Sequence, residues 1–197
     1  MGKVLRDPPN RKRVFVPTGA SSSPDRSHWI CPALPLTGQW HTKVNESFHA
    51  RGGWWVIGQS LLMTAILILG VVSPGATAPV GGRIAGSLLI VLGAWLGLAG
   101  VRALGPARTA FPRPLPSSCL VRSGPYRLVR HPLYLSVLLV SAGWAVCWRS
   151  LPAMGLAVVL GALLHYKARM EERWLREEFP EYRAYAREVG RLFPKLF

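Results

Sequence analysis

The sequence predicts an all-α, polytopic membrane protein with about four transmembrane helices and a C-terminal amphipathic helical segment on the cytoplasmic side. Three observations predict it. Between Glu46 and Glu171 the chain carries no Asp or Glu. Inside that interval lie apolar runs close to the roughly 20 residues that cross a bilayer as a helix. The Lys and Arg residues are also unevenly placed: 8 precede residue 54, 1 lies in 73–83, 6 in 102–132, 1 is Arg149 and 8 follow residue 166. On four crossings 22 of the 24 fall on one face. The excess of Lys and Arg in cytoplasmic segments makes that face cytoplasmic, with both termini inside.

Residues 1–50 are rich in Pro, Ser and Arg, with a basic cluster at Arg11, Lys12 and Arg13 and no sustained periodicity. They read as a disordered basic tail ahead of a membrane domain spanning 51–197. No apolar stretch there makes a signal peptide. Met1-Gly2-Lys3-Val4-Leu5-Arg6 lacks the Ser or Thr of a myristoylation signal.

Trp54 to Val72 and Ile84 to Val101 are free of charge and give the first two spans. Gly86, Gly93, Gly97 and Gly100 line the second, and the four-residue step from 93 to 97 offers a small face on which another helix can pack closely. Pro106, Pro112, Pro114 and Pro116 keep the basic stretch 102–132 from regular helix. Leu133 to Trp148 and Leu151 to Tyr166, separated only by Arg149 and Ser150, read as a tight helical hairpin, either crossing or re-entering the membrane. Beyond it Met170, Trp174, Tyr182, Tyr185 and Val189 recur at helical spacing, and Pro180 is placed to open a second short helix at its first position.

Trp54, Trp55, Tyr134, Trp144, Trp148, Tyr166 and Trp174 fall near helix ends, where amphipathic rings sit at headgroup level; Trp95 is mid-span. A net charge of +15 needs no nucleic acid partner, because basic segments facing anionic lipid account for it. Cys31, Cys119 and Cys147 show no metal-ligand or disulfide spacing, so no metal is expected. An excess of 19 Arg over 5 Lys fits a GC-rich bacterial genome and hence a bacterial inner membrane.

Chemistry concentrates in Gly124-Pro125-Tyr126-Arg127-Leu128-Val129-Arg130-His131-Pro132-Leu133-Tyr134 at the cytoplasmic mouth of the third run. Pro132 suits the first helical position, which puts His131 at the cap and leaves first-turn N–H groups facing whatever lies beside it. With Arg122, Arg127 and Arg130 nearby, this mouth suits a carboxylate or phosphate, or simply lipid headgroups. Glu171 and Glu172 are the first acids since Glu46, placed one turn past the fourth run. They could pair locally, Lys167 with Glu171 and Arg169 with Glu172, each pair stabilising the helix by a few tenths of a kcal/mol. Alternatively they accept hydrogen bonds from an ammonium or a ribose diol while the His131 region holds a carboxylate, an arrangement suited to a zwitterionic nucleoside cofactor.

Together, GPYRLVRHPLY and the later KARMEERWLREEFPEYRAY resemble the C-terminal half of the membrane methyltransferases that include isoprenylcysteine carboxyl methyltransferase and the phospholipid N-methyltransferases. The resemblance covers residues 84–194 and is closest over 115–194. It implies S-adenosyl-L-methionine as methyl donor, with Tyr126, Arg130, His131, Tyr134, Glu171 and Glu172 as cofactor-site residues. The acceptor is then a lipophilic or membrane-embedded carboxylate, amine or thiol entering from the lipid. Where the isoprenylcysteine enzymes carry an arginine four residues before the acid pair, this chain has Lys167, with Arg169 on another helix face; these two are the substrate-binding candidates. Lys offers a point charge in place of a bidentate fork, so the acceptor stays open. No catalytic nucleophile is expected, because the acceptor supplies the lone pair. Two rival readings are an NADPH-dependent membrane reductase of related architecture and a non-catalytic membrane protein that binds lipid or a partner.

Overall fold

The computed structural model describes residues 52–75, 80–105 and 120–195, together with the backbone of 29–30. The expected tail over 1–50, apart from Trp29 and Ile30, and most of the proline-rich stretch after residue 105 lie outside the described residues, as do Cys31 and Cys119. Among the described residues the chain is mostly helical, with five α-helices: α1 (Gly53–Val72), α2 (Val80–Leu104), α3 (Pro132–Trp148), α4 (Leu151–Glu178) and α5 (Tyr182–Glu188). A two-residue antiparallel ladder joins β1 (Trp29–Ile30) to β2 (Leu120–Val121), and a 3-10 turn covers Gly124–Arg127.

Length and composition make α1, α2 and α4 each sufficient to cross a membrane, whereas α3, at 17 residues, is shorter. Their outer faces are apolar and exposed, with Leu61 and Ile68 on α1, Leu88, Val91 and Trp95 on α2, and Val158 on α4. A molecule that leaves such side chains outside has lipid rather than water as its solvent, and the protein is an integral membrane protein.

The glycine stripe of α2 packs on α3. A Cβ at Gly86 would sit 2.7 Å from Gly143 O, and one at Gly143 would sit 2.6 Å from Gly86 O, so the two backbones touch where neither has a side chain. Gly93 meets Ser136 and Val140, and Gly100 meets Leu133. Close approach of this kind replaces the hydrophobic driving force that lipid removes. The other seam joins α1, α3 and α4 through Ile66, Ala145, Ala153, Leu160 and Leu164. Trp144 Nε1 donates to Leu67 O (3.2 Å) and Ser150 Oγ to Leu69 O (3.0 Å), tying the α3–α4 turn to the end of α1. That turn is sharp because Arg149 adopts a left-handed conformation (φ 49°) and Ser150 Oγ then accepts from Ala153 N to cap α4.

Two expectations are corrected here. The fourth helix does not stop at Tyr166: α4 continues unbroken for 28 residues to Glu178, so Glu171 and Glu172 lie within it rather than beyond it. Its apolar stretch ends near Tyr166, but Met170, Trp174 and their polar neighbours contain no helix breaker until Pro180. Pro180 sits in the turn before α5, whose cap is Glu181, and is not that helix's first residue. The end of α4, α5 and the following residues enclose a second core of Leu120, Phe179, Tyr182, Tyr185 and Val189, which roofs the start of α3.

Candidate functional site

Helix α3 begins as its sequence requires: His131 takes the cap position and Pro132, without an N–H, the first turn. The first-turn donors are less available than expected, because Tyr134 N and Leu135 N both donate to His131 O at 3.1 Å. Beside the cap runs Val189–Leu192. Arg130 N donates to Gly190 O (2.8 Å) and His131 N to Arg191 O (3.1 Å), a short parallel bridge that binds the chain's C-terminal segment to the motif. Tyr185 OH donates to Tyr126 O, and Arg122 pairs with Glu188 at 3.0 Å while lying over the Tyr185 ring. Gly190 is where the strap bends most tightly, since a Cβ there would overlap the carbonyl of Phe193.

The imidazole of His131, only 6% exposed, lies between the two acids: Nδ1 is 3.6 Å from Glu171 Oε2 and Nε2 is 3.3 Å from Glu172 Oε1. Glu172 is fully buried (0%) and ringed by cations. Arg191 grips both of its oxygens, Nε to Oε1 and Nη2 to Oε2, each at 2.8 Å. Arg130 Nη2 adds a contact at 3.3 Å and Arg176 Nη2 one at 3.2 Å. Glu171, 24% exposed, accepts from Tyr134 OH at 2.8 Å, and the Tyr134 ring stacks on His131 with centroids 5.2 Å apart. In place of the local pair with Arg169, Glu172 has Arg176 one turn further along α4 and the distant Arg130 and Arg191.

Tyr126 is buried in the 3-10 turn, and burial followed by the nearby Glu171 charge pushes its phenol well above its ordinary pKa, so it stays neutral. Tyr182 behaves likewise, through burial and then Glu172. Arg191 is pushed up mainly by its hydrogen bonds to Glu172. Among the described residues three buried polar atoms have no hydrogen-bond partner: Arg130 Nε, His131 Nε2 and Tyr182 OH.

Of the residues picked from sequence, Tyr126, Arg130, His131, Tyr134, Glu171 and Glu172 converge on one end of the bundle. The two substrate-binding candidates part company. Lys167 is buried (3%), donates to Gln59 Oε1 at 2.9 Å and lies 5.1 Å over the Tyr134 ring, whereas Arg169 is exposed on a different face. Sequence reasoning missed Gln59 of α1 and Arg191. The available sign of Arg191 was a lone charge in the otherwise apolar Val189-Gly190-Arg191-Leu192-Phe193.

Residues 82–182, just over half of the chain, match the phospholipid methyltransferase family. Two curated proteins are similar over 81 residues, 41% of this chain. One, the cobalt-zinc-cadmium resistance protein CzcN of Cupriavidus metallidurans, is 40% identical. The other, the nickel-cobalt-cadmium resistance protein NccN of Alcaligenes xylosoxydans xylosoxydans, is 33% identical. The matched part spans 38% of each of those proteins.

Proposed function

Because the chain belongs to the phospholipid methyltransferase family, we propose that it moves a methyl group from S-adenosyl-L-methionine to a lipophilic or membrane-embedded carboxylate, amine or thiol. The observation that carries this reading is the partly exposed Glu171 beside His131, Tyr134 and Tyr126 at one end of an apolar bundle. The side chains suit the cofactor. Glu171 can accept from an ammonium, and Arg130 Nε is a buried donor of the kind a carboxylate satisfies. Tyr126 supplies an aromatic face of the kind that attracts an onium cation.

When bound, S-adenosylmethionine would supply an electrophilic methyl on a sulfonium, for in-line displacement by a lone pair of the acceptor with the thioether S-adenosylhomocysteine as leaving group. Every other contribution comes from the chain. Glu171 would hold the ammonium, oriented by Tyr134 OH and His131. Neutral Tyr126 closes the polar side without adding charge. Glu172 takes no part in binding on this reading, since Arg191, Arg130 and Arg176 already satisfy both its oxygens. Lys167, one turn deeper on α4 than Glu171 and held by Gln59, lies where an acceptor arriving from lipid would present a polar head. Orientation and exclusion of water supply much of the rate in such a transfer.

The domain of residues 51–197 is proposed to cross the membrane four times. At 1.5 Å per residue α3 reaches about 25 Å, short of the ~30 Å hydrocarbon core, and the Arg149 turn completes the crossing by snorkelling. The basic face, which carries the site and both termini, is then cytoplasmic. A reductase holding NADPH has less support, because the carboxylates of Glu171 and Glu172, gathered around His131, would repel a dinucleotide phosphate. The metal resistance for which the two curated relatives are named gives no acceptor for this chain.

The test is transfer of a radiolabelled methyl group from S-adenosylmethionine into the lipid-extractable fraction of membranes containing the protein. Label should accumulate with the parent and fall to background with His131→Ala. A parent that labels nothing beyond empty membranes, with native lipids present, would contradict the proposal, and so would stabilisation by NADPH alone.

A further inference from the structure

We propose that Arg191 is a positioning residue for the cofactor site, acting through His131 and Glu172, an inference that rests on the methyltransferase reading above. Two independent contacts from one residue converge on the same cap. The Arg191 carbonyl accepts from His131 N (3.1 Å), which fixes the backbone at the start of α3. The Arg191 guanidinium holds both oxygens of Glu172 at 2.8 Å, which fixes the carboxylate that His131 Nε2 faces at 3.3 Å.

The fork matters for what His131 is left to do. Arg130 and Arg176 each touch Glu172 through one nitrogen, at 3.3 and 3.2 Å, while Arg191 alone is seen to span it in the planar bidentate manner that a guanidinium allows. With Glu172 so satisfied, His131 approaches it only to 3.3 Å and keeps its ring stacked on Tyr134 beside Glu171. Without the fork, Glu172 Oε1 would lose its 2.8 Å donor, leaving Arg130 Nη2 and the imidazole Nε2, both at 3.3 Å, to replace it. Turning His131 toward Glu172 would unstack it from Tyr134 and disturb the Tyr134–Glu171 pair that faces the cofactor. Arg191 itself touches neither Glu171 nor Tyr134 in any of these contacts, so its influence passes through the histidine.

The test is a double-mutant cycle on S-adenosylhomocysteine affinity, measured in detergent by calorimetry, with Arg191→Ala, His131→Ala and the pair. Loss of one charged hydrogen-bonding partner should weaken binding roughly ten- to hundredfold, and the double variant should bind no worse than His131→Ala alone. Arg191→Lys should recover only part of the loss, since it restores charge but not the fork. Arg176→Ala, which removes an exposed cation from the same carboxylate, should cost much less than Arg191→Ala. Additive losses in the cycle, full recovery by lysine, or equal losses from Arg176→Ala and Arg191→Ala would each overturn the proposal in favour of general charge neutralisation. Amide hydrogen exchange on the same samples separates this from the function itself. Arg191→Ala should accelerate exchange at residues 130–131 while leaving α1 and α2 unchanged. If the parent binds no S-adenosylhomocysteine, the methyltransferase reading fails, and this exchange pattern still decides whether Arg191 positions His131: selective acceleration upholds it and uniform or absent acceleration refutes it.

Discussion

Glu171 and Glu172 lie about 100° apart around α4, and that rotation separates their roles. Glu172 turns inward to Arg191, Arg130 and Arg176, while Glu171 stays at the edge of the bundle with Tyr134 and His131. Glu172→Gln leaves the buried Arg130 and the partly buried Arg191 without their counter-charge, and breaking a buried ion pair from one side costs about 3–5 kcal/mol. The expected outcome is a large fall in the thermal midpoint of the purified protein. Glu171→Gln should leave that midpoint nearly unchanged and instead lower affinity for S-adenosylhomocysteine. Equal loss of stability in the two variants would show that both acids are structural. Adjacent acids read from sequence look equivalent. Their difference arises from Arg191, 19 residues beyond Glu172 and outside any periodic pattern that joins them.

At the scale of elements, what the sequence made legible was local chemistry: Pro132 starting α3, Arg149-Ser150 turning it into α4, and a glycine stripe in α2 awaiting a partner. Each depends on residues within one turn or on a repeat along one helix, so each can be read without knowing the fold. The continuation of α4 past Tyr166 was not legible by hydropathy, because apolar content ends there while the hydrogen-bonded helix does not. The strap over 189–192 was hidden for a different reason, since its bridge to residues 129–131 spans some 60 positions. The α2–α3 seam makes a direct prediction. Gly86→Val should separate the helices and lower the thermal midpoint, because its Cβ would meet Gly143 O and Cys147 at once. Gly81→Ala, with open space around the position, should be neutral or stabilise by up to about 1 kcal/mol. Gly190→Ala should loosen the strap and be read as faster amide exchange at residues 130–131.

Across the whole molecule, helix ends sort to two faces. Gly75 N donates to Trp148 O at one face, where Arg149 lies; Trp55 stacks on Tyr166 and Gly100 meets Leu133 toward the other, where the basic segments and the acid pair gather. A reporter that is active only in the cytoplasm should therefore work when fused after Phe197 and fail when inserted between Arg149 and Ser150; activity at both would require α3 and α4 to re-enter rather than cross. On the proposed function, the arrangement would put a site for a charged cofactor above a lipid-facing bundle through which an apolar acceptor can approach. That central claim is tested most directly by calorimetric titration of S-adenosylhomocysteine into the detergent-purified protein and its Glu171→Gln variant. The account predicts saturable binding by the parent and a marked loss in the variant with its thermal midpoint preserved. Binding of equal strength in both, or none in the folded parent, would contradict it.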